Sequence, residues 1–297
     1  MLLDRFNPVH WEWMVYLEMF LAGIAAGAYM VAALLEWSGR GRSPLARSAH
    51  ALAFPLVALA GLLLAVDLSR PERFWHMVVQ SHTMLPMFKV WSPISMGSML
   101  LLVFGGLTFV SFVDFLISRD FFRLGGWRDE RTLHGSAVGR VWALLGLLTA
   151  FGTAAYSGIL LSATNIPGWG HSTLIGAVYV ATAIITGVAA LLLIQTIRGF
   201  IDEDVVALAG TNTWLIVWWL VMVVVFLATL GEGLRFIATG IASVALIAAI
   251  VLAGVVPLAL RFAAGARSQS LLVPAVSILI GGLLLRFAIV MGPQSVH

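Results

Sequence analysis

The chain is 297 residues long, with 61% hydrophobic residues, 10% charged residues and a mean hydropathy of +1.00. A soluble domain carries roughly a quarter charged residues, so this chain cannot cover a globular surface and must take lipid as its solvent. The net charge of +3 is no mark of nucleic-acid binding, because the basic residues fall between apolar runs. The absence of cysteine excludes disulfides, thiolate metal sites, iron–sulfur ligation and cysteine nucleophiles.

The opening residues MLLDRFNPVHWEW lack a basic segment followed by an apolar run and a small-residue cleavage site, so no cleaved signal peptide is expected. A spanning helix needs about 20 mostly apolar residues. Eight stretches qualify: Met14–Leu35, Ser48–Asp67, Pro93–Ser118, Gly135–Ser162, Thr173–Arg198, Thr213–Leu230, Phe236–Leu260 and Leu271–Met291. They are continuous apolar runs rather than ten-residue alternations, which excludes a membrane β-barrel. The expected fold is an all-α membrane protein, one eight-helix domain over residues 1–297. The Gly and Ala residues within the spans read as helix packing.

Lys and Arg near the helix ends set the expected orientation. With the N-terminus outside, the inner side holds Arg40, Arg42, Arg47, Arg119, Arg123, Arg128, Arg131, Arg198, Arg261 and Arg267, with Arg140 near an inner helix end. The outer side holds Arg5, Arg70, Arg73, Lys89, Arg235 and Arg286. Both termini are then expected outside. The Arg119–His134 loop, where Arg residues are offset by Asp120, Asp129 and Glu130, reads as a solvated inner connector.

On this topology the unusual polar groups converge at the outer helix ends. Glu18 lies about one turn inside span one, Asp67 closes span two, and Arg70 and Arg73 follow it. Tyr156 nears the end of span four, shortly before Asn165 and Trp169, and Arg286 sits in the last turns of span eight. A charge in the bilayer costs about 2.5–3.5 kcal/mol at a helix centre, so such groups face the bundle interior and pair. Glu18 has the least structural excuse. Arg286 has a rival reading as a snorkelling side chain, Asp67–Arg70 as an interfacial salt bridge, and Glu232–Arg235 as a turn pair.

Other chemistries find no support. A haem between helices needs two facing axial ligands, and of the histidines His50 alone is well placed at a span, while His10, His76, His82, His134 and His171 lie in connectors. No intrinsic haem is expected. No catalytic Ser/His/Asp arrangement, phosphate-cradling glycine loop or HExxH motif occurs. On the inner side Glu36, His50 and Asp114 are ionisable but sparse.

Several segments carry a family resemblance: LAGIAAGAYMVAALLE (21–36), DLSRPERFWHM (67–77), SPISMGS (92–98), YSGILLSATNIPGW (156–169) and GGLLLRFAIV (281–290). Through them nearly the whole chain resembles the NrfD/PsrC family of integral membrane subunits of polysulfide reductases and related molybdenum-enzyme complexes. The DLxRPxRF element followed by SPxSxGS is its most specific part. The resemblance implies a quinone-exchanging anchor with eight helices and no metal of its own, not catalytic alone, in a bacterial or archaeal cytoplasmic membrane. It also implies an iron–sulfur, ferredoxin-like subunit docked on the outer face and a molybdopterin catalytic subunit beyond it. Glu18 stands where the family has a quinone-binding histidine, Tyr156 matches the pocket tyrosine, and Val15 replaces the pocket asparagine.

The expectation is therefore that menaquinone or ubiquinone exchanges two electrons and two protons near the outer surface. Glu18 would handle protons, Tyr156 would donate to a quinone oxygen, Asp67 and Arg70 would shape the pocket mouth, and Asn165 and Arg286 would complete the binding set. A carboxylate accepts from a quinol hydroxyl and donates to a carbonyl only when protonated. The loop with Arg70, Arg73, Trp75, His76 and Lys89 is expected to dock the partner. A secondary or proton-coupled transporter is the first rival, but it places paired charges near the midplane, where these spans are apolar. The second is a purely structural anchor, which leaves Glu18 unexplained. With no evident stepping stones in mid-membrane, electroneutral chemistry is expected.

Overall fold

A computed structural model describes residues 11–68, 70–89, 91–119, 121, 133–164, 166–263 and 271–294. Eight helices are long and apolar enough to cross a membrane: α1 (Trp13–Trp37), α2 (Pro44–Asp67), α3 (Pro93–Ser118), α4 (Ala137–Ser162), α5 (Ile175–Arg198), α6 (Glu203–Thr229), α7 (Gly240–Ala263) and α8 (Leu272–Gln294). Arg5, His10, Asn165, Arg267 and most of the Arg119–His134 connector lie outside the described residues.

Local chemistry sets where these helices begin and end. Ser43 and Ser136 accept backbone N–H bonds from Ala46 (3.2 Å) and Gly139 (3.0 Å), capping α2 and α4. Asp202 does the same for Val205 at 3.0 Å. With Glu203 and Asp204 in the first turn, this cap lets α6 start well before the expected Thr213, as a helical extension of the apolar run. Gly199 closes α5 in the left-handed region at φ +70°. The seventh span also differs from its expected start at Phe236. A one-turn helix at Leu234–Ile237 breaks before Gly240, whose φ is +52°, and only then does α7 begin. A π-helical segment, Val251–Val255, sits within α7.

The bundle is organised around α1 and α5, the two most buried helices. α1 packs against α2, α4, α5 and α8, while α5 adds α6 and α4. Glycine makes the α1–α5 approach possible: a Cβ on Gly27 would stand 2.0 Å from the Ala183 carbonyl oxygen, and one on Gly187 2.4 Å from the Ala28 nitrogen. Here two backbones touch, as small residues permit in membranes.

The two ends of the described chain meet. Trp11 N donates to Gln294 Oε1 at 2.7 Å, and Gln294 Nε2 donates to Trp11 O at 3.3 Å. Nearby, Pro293 lies within α8 and has no N–H for the Ile289 carbonyl four residues earlier. The buried Trp169 indole fills that role, donating Nε1–H to Ile289 O at 2.6 Å. The segment between α4 and α5 is thereby pinned to the end of α8.

Candidate functional site

The most specific sequence element, SPISMGS, has a position-by-position physical account. Ser92 caps α3 by accepting from Ser95 N at 3.4 Å, and Pro93 occupies the first turn. Ser95 Oγ donates to Met87 O at 2.8 Å and accepts from Lys89 N at 3.0 Å, tying down the connector before α3. Ser98 Oγ reaches Met77 O at 3.3 Å, which fastens the 3-10 helix Pro71–Met77 that follows α2. Gly97 makes room for Tyr156: a Cβ there would lie 1.7 Å from the Tyr156 Cζ. The motif is thus a platform on which the tyrosine ring of α4 rests.

Glu18 is the group through which four of the six expected site residues interact electrostatically. Glu18 on α1 is partly exposed and interacts electrostatically with Arg286 and Asp67. Tyr156, half-buried, lies within the same range of Glu18. Asp67, also half-buried, ends α2 and senses Glu12 as well. Arg70 is exposed and makes no ion pair with Asp67 within 4 Å among the described residues, so the pair does not form a salt bridge here. Asn165 lies outside the described residues.

Arg286 does not snorkel. It is 2% exposed, with its guanidinium carbon 3.7 Å from the centroid of the Tyr179 ring and Nη2 donating to Tyr179 O at 3.2 Å. A desolvated cation over an aromatic face gains about 2 kcal/mol or more. Gly23 leaves space for it, since a Cβ there would stand 3.0 Å from Nη2. Nε, Nη1 and the Tyr179 hydroxyl have no hydrogen-bonding partner among the described residues. The arrangement is a fixed positive charge behind a partly accessible carboxylate, in electrostatic range of Glu18 without an ion-pair contact.

Sequence reasoning missed Tyr179. A signal existed: the chain has four tyrosines, and one at the heart of an apolar span needs a partner for its hydroxyl. It also missed an apolar recess of about 650 Å³ between α2 and α3, lined in part by Val57, Gly61, Leu68, Phe74, Ser98 and Gly105. Leu68 adjoins Asp67 and Ser98 adjoins Gly97, so the recess begins beside the polar cluster. Gly61 and Gly105 keep it open by presenting no side chain.

The connector between α2 and α3 presents Arg70, Arg73, Trp75 and Lys89 to the surface, with His76 half-buried and stacked on Trp75 at 3.8 Å between centroids. Phe74, Met84, Leu85, Phe88 and Trp91 are also exposed there. No group of three or more His, Asp or Glu side chains suited to a metal ion occurs among the described residues.

The family model described as polysulphide reductase, NrfD, matches residues 2–296. Among curated proteins, the C subunit of polysulfide reductase from Wolinella succinogenes is 29% identical over 65% of this chain and 60% of its own length. An NrfD homolog of Haemophilus influenzae is 27% identical, covering 69% and 66% respectively. Protein NrfD of Escherichia coli is 26% identical, covering 65% and 62%. Each match spans less than two thirds of the relative's length.

Proposed function

This chain belongs to the polysulphide reductase NrfD family, and on that premise we propose that it is the quinone-exchanging membrane subunit of a redox complex. Its eight apolar helices and its family make it a multi-pass protein of the bacterial inner membrane. The observation that carries the functional reading is the juxtaposition of Glu18, Tyr156 and Asp67, backed by Arg286 on Tyr179, with an apolar recess alongside. Charged and phenolic groups from four helices at one end of the bundle supply the proton donor, hydrogen-bond donor and counter-charge that quinone chemistry needs.

In this reading the quinone head lies between Glu18 and Tyr156. The Tyr156 phenol donates to one carbonyl oxygen, holding the ring in place. Glu18, re-protonated from the pocket mouth between transfers, would pass two protons in turn to the head as two electrons arrive from the partner, and would accept them in turn from a quinol giving its electrons up. Arg286 offsets the negative charge that Glu18 acquires between these events. The isoprenoid tail occupies the recess between α2 and α3, where an apolar lining beside the polar cluster matches the two halves of the molecule. Menaquinone and ubiquinone both fit this description.

Electrons pass to or from an iron–sulfur partner, because no cysteine is present here to hold a cluster. The exposed basic and aromatic connector between α2 and α3 is the docking surface we assign to that partner, with a molybdopterin subunit beyond it. We assign this surface to the outer side of the membrane, an orientation that the excess of Arg in the opposite connectors supports. Quinol oxidation by the intact complex tests the assignment. Glu18→Gln and Tyr156→Phe are each expected to lower turnover by about 10²-fold or more, the usual scale for a positioned proton-transfer group. Wild-type turnover in both variants would remove the pocket from these residues.

A further inference from the structure

The end of the bundle opposite Glu18 carries a second set of placed charges. Three arginines gather about the first turn of α2: Arg47 lies in it, Arg42 precedes it, and Arg198 at the end of α5 is bonded to Ser48 just after it. Each is held from behind. Arg42 Nε donates to His134 O at 3.0 Å, and its stem lies over Gly135, where a Cβ would stand 2.5 Å from Nε and 2.9 Å from Cγ. Arg47 Nε donates to Arg42 O at 3.0 Å. Arg198 Nη1 donates at 3.2 Å to Ser48 Oγ, which also accepts from the buried Gln195 Nε2 at 3.1 Å. These bonds leave both terminal nitrogens of Arg42 and Arg47, and Nε and Nη2 of Arg198, unused among the described residues.

The acids at this end are committed elsewhere. Glu36, whose charge Arg42 senses, is buried, accepts from Gly135 N at 2.7 Å and stands 3.6 Å from His134 Nδ1. Asp114 accepts from Leu133 N at 2.6 Å, Asp202 caps α6 and Asp204 pairs with Arg40. Glu203 is exposed and makes no ion pair among the described residues. Nor does any carboxylate among them lie within 4 Å of Arg42, Arg47 or Arg198. Tethered like charges repel one another, and the relief they need must come from an anion outside the chain.

The surroundings select the kind of anion. Ile197 and Phe200, which flank Arg198 in sequence, are exposed, as are Leu34 and Trp37 in the last turn of α1. Tryptophan at the end of a spanning helix marks the level of the lipid headgroups. A guanidinium fork matches the oxygens of a phosphate two at a time, which an ammonium cannot do. Forks fixed at headgroup level, beside exposed apolar side chains, fit a phosphate that carries acyl chains. A soluble anion would use the forks and leave the apolar side chains without a role.

We propose that Arg42, Arg47 and Arg198 form a binding site for the phosphodiester of an anionic phospholipid, such as phosphatidylglycerol or cardiolipin, with its chains against the apolar side chains beside Arg198. Such a lipid joins three parts of the bundle through their arginines: the start of α2, the end of α5 and, through the bond of Arg42 to His134, the segment leading into α4. It acts as a structural lipid, far from Glu18 and independent of any quinone there.

The test strips the intact complex of lipid in a neutral detergent, titrates it with phosphatidylglycerol or phosphatidylcholine, and counts bound lipid by native mass spectrometry. Phosphatidylglycerol is expected to bind at least about 10-fold more tightly than phosphatidylcholine, and inorganic phosphate at the same concentration should leave it bound. Arg42→Gln, Arg47→Gln and Arg198→Gln are each expected to weaken its binding about fivefold, the equivalent of about 1 kcal/mol for one arginine near an anionic surface. Arg261→Gln removes an exposed arginine near the end of α7 and should change nothing. Equal binding of the two lipids overturns the site, and so does displacement by inorganic phosphate, which would mark a soluble-anion site. Equal weakening in Arg261→Gln overturns it as diffuse surface charge. The comparison of lipids uses the wild type alone, so it decides the matter even where a variant fails to assemble.

Discussion

Replacing Gly97 by Ala tests the pocket geometry without touching a polar group. The new Cβ would stand 1.7, 2.1 and 2.3 Å from Cζ, Cε1 and Cε2 of Tyr156. Carbon atoms rest about 3.5–4.0 Å apart, so the ring must move by about 2 Å, carrying its hydroxyl with it. Overpacking of this kind costs about 1–3 kcal/mol, which the bundle absorbs as a displaced tyrosine rather than as unfolding. A misplacement of about 1 Å at a reacting group costs about 10²-fold in rate, equivalent to about 2.7 kcal/mol in the barrier. Quinol oxidation by the intact complex is therefore expected to fall about 100-fold in Gly97→Ala. Adding Tyr156→Phe should cause little further loss, because both changes remove the same hydrogen bond. Gly210→Ala on α6 is the control: nothing lies within 4 Å of its Cβ position and it does not line the recess, so activity should stay at wild type. Wild-type turnover in Gly97→Ala, together with impaired turnover in Tyr156→Phe, would refute the claim that the ring's position matters.

Other substitutions separate packing from chemistry. Gly27→Ala drives a methyl into the Ala183 backbone carbonyl, with no side chain able to yield; the melting temperature of the purified complex should drop, by at least the 1–3 kcal/mol typical of overpacking. Trp169→Phe leaves the proline-orphaned Ile289 carbonyl unpaired, which should destabilise by about 1–3 kcal/mol in the same melt. Arg286→Lys keeps the charge but loses the planar stack on Tyr179; turnover is expected to fall about 10-fold with the fold intact by circular dichroism. Asp204→Asn removes the ion pair with the exposed Arg40, and the melt should move by less than the equivalent of about 1 kcal/mol.

The eight spans were legible because hydropathy over about 20 residues is a local property. Where the reading slipped, local capping decided the outcome: Asp202 starts α6 early, and a left-handed Gly240 delays α7. Glu18 and Arg286 stood out as charges in apolar runs; the structure buries Arg286 and leaves Glu18 partly exposed. The setting of Tyr179 was not legible, because it depends on which helix faces which. That information sits in glycines such as Gly97, Gly139 and Gly146, whose role in a sequence reads only as general packing. Gly97 proves to be a space left for Tyr156 and Gly146 one left for Tyr29, while Gly139 meets the Leu133 carbonyl as well as Glu36. The rival reading of Asp67–Arg70 as a salt bridge failed for a related reason: sequence proximity said nothing of the 3-10 turn that leaves Arg70 exposed.

Photolabelling of the intact complex with an azidoquinone, followed by peptide mapping, addresses the quinone site most directly. Label should fall on the α1, α3 and α4 peptides that carry Glu18, Gly97 and Tyr156, be displaced by excess unlabelled quinone, and weaken in Glu18→Gln. Displaceable label confined to α6 and α7, or none at all, would contradict the account.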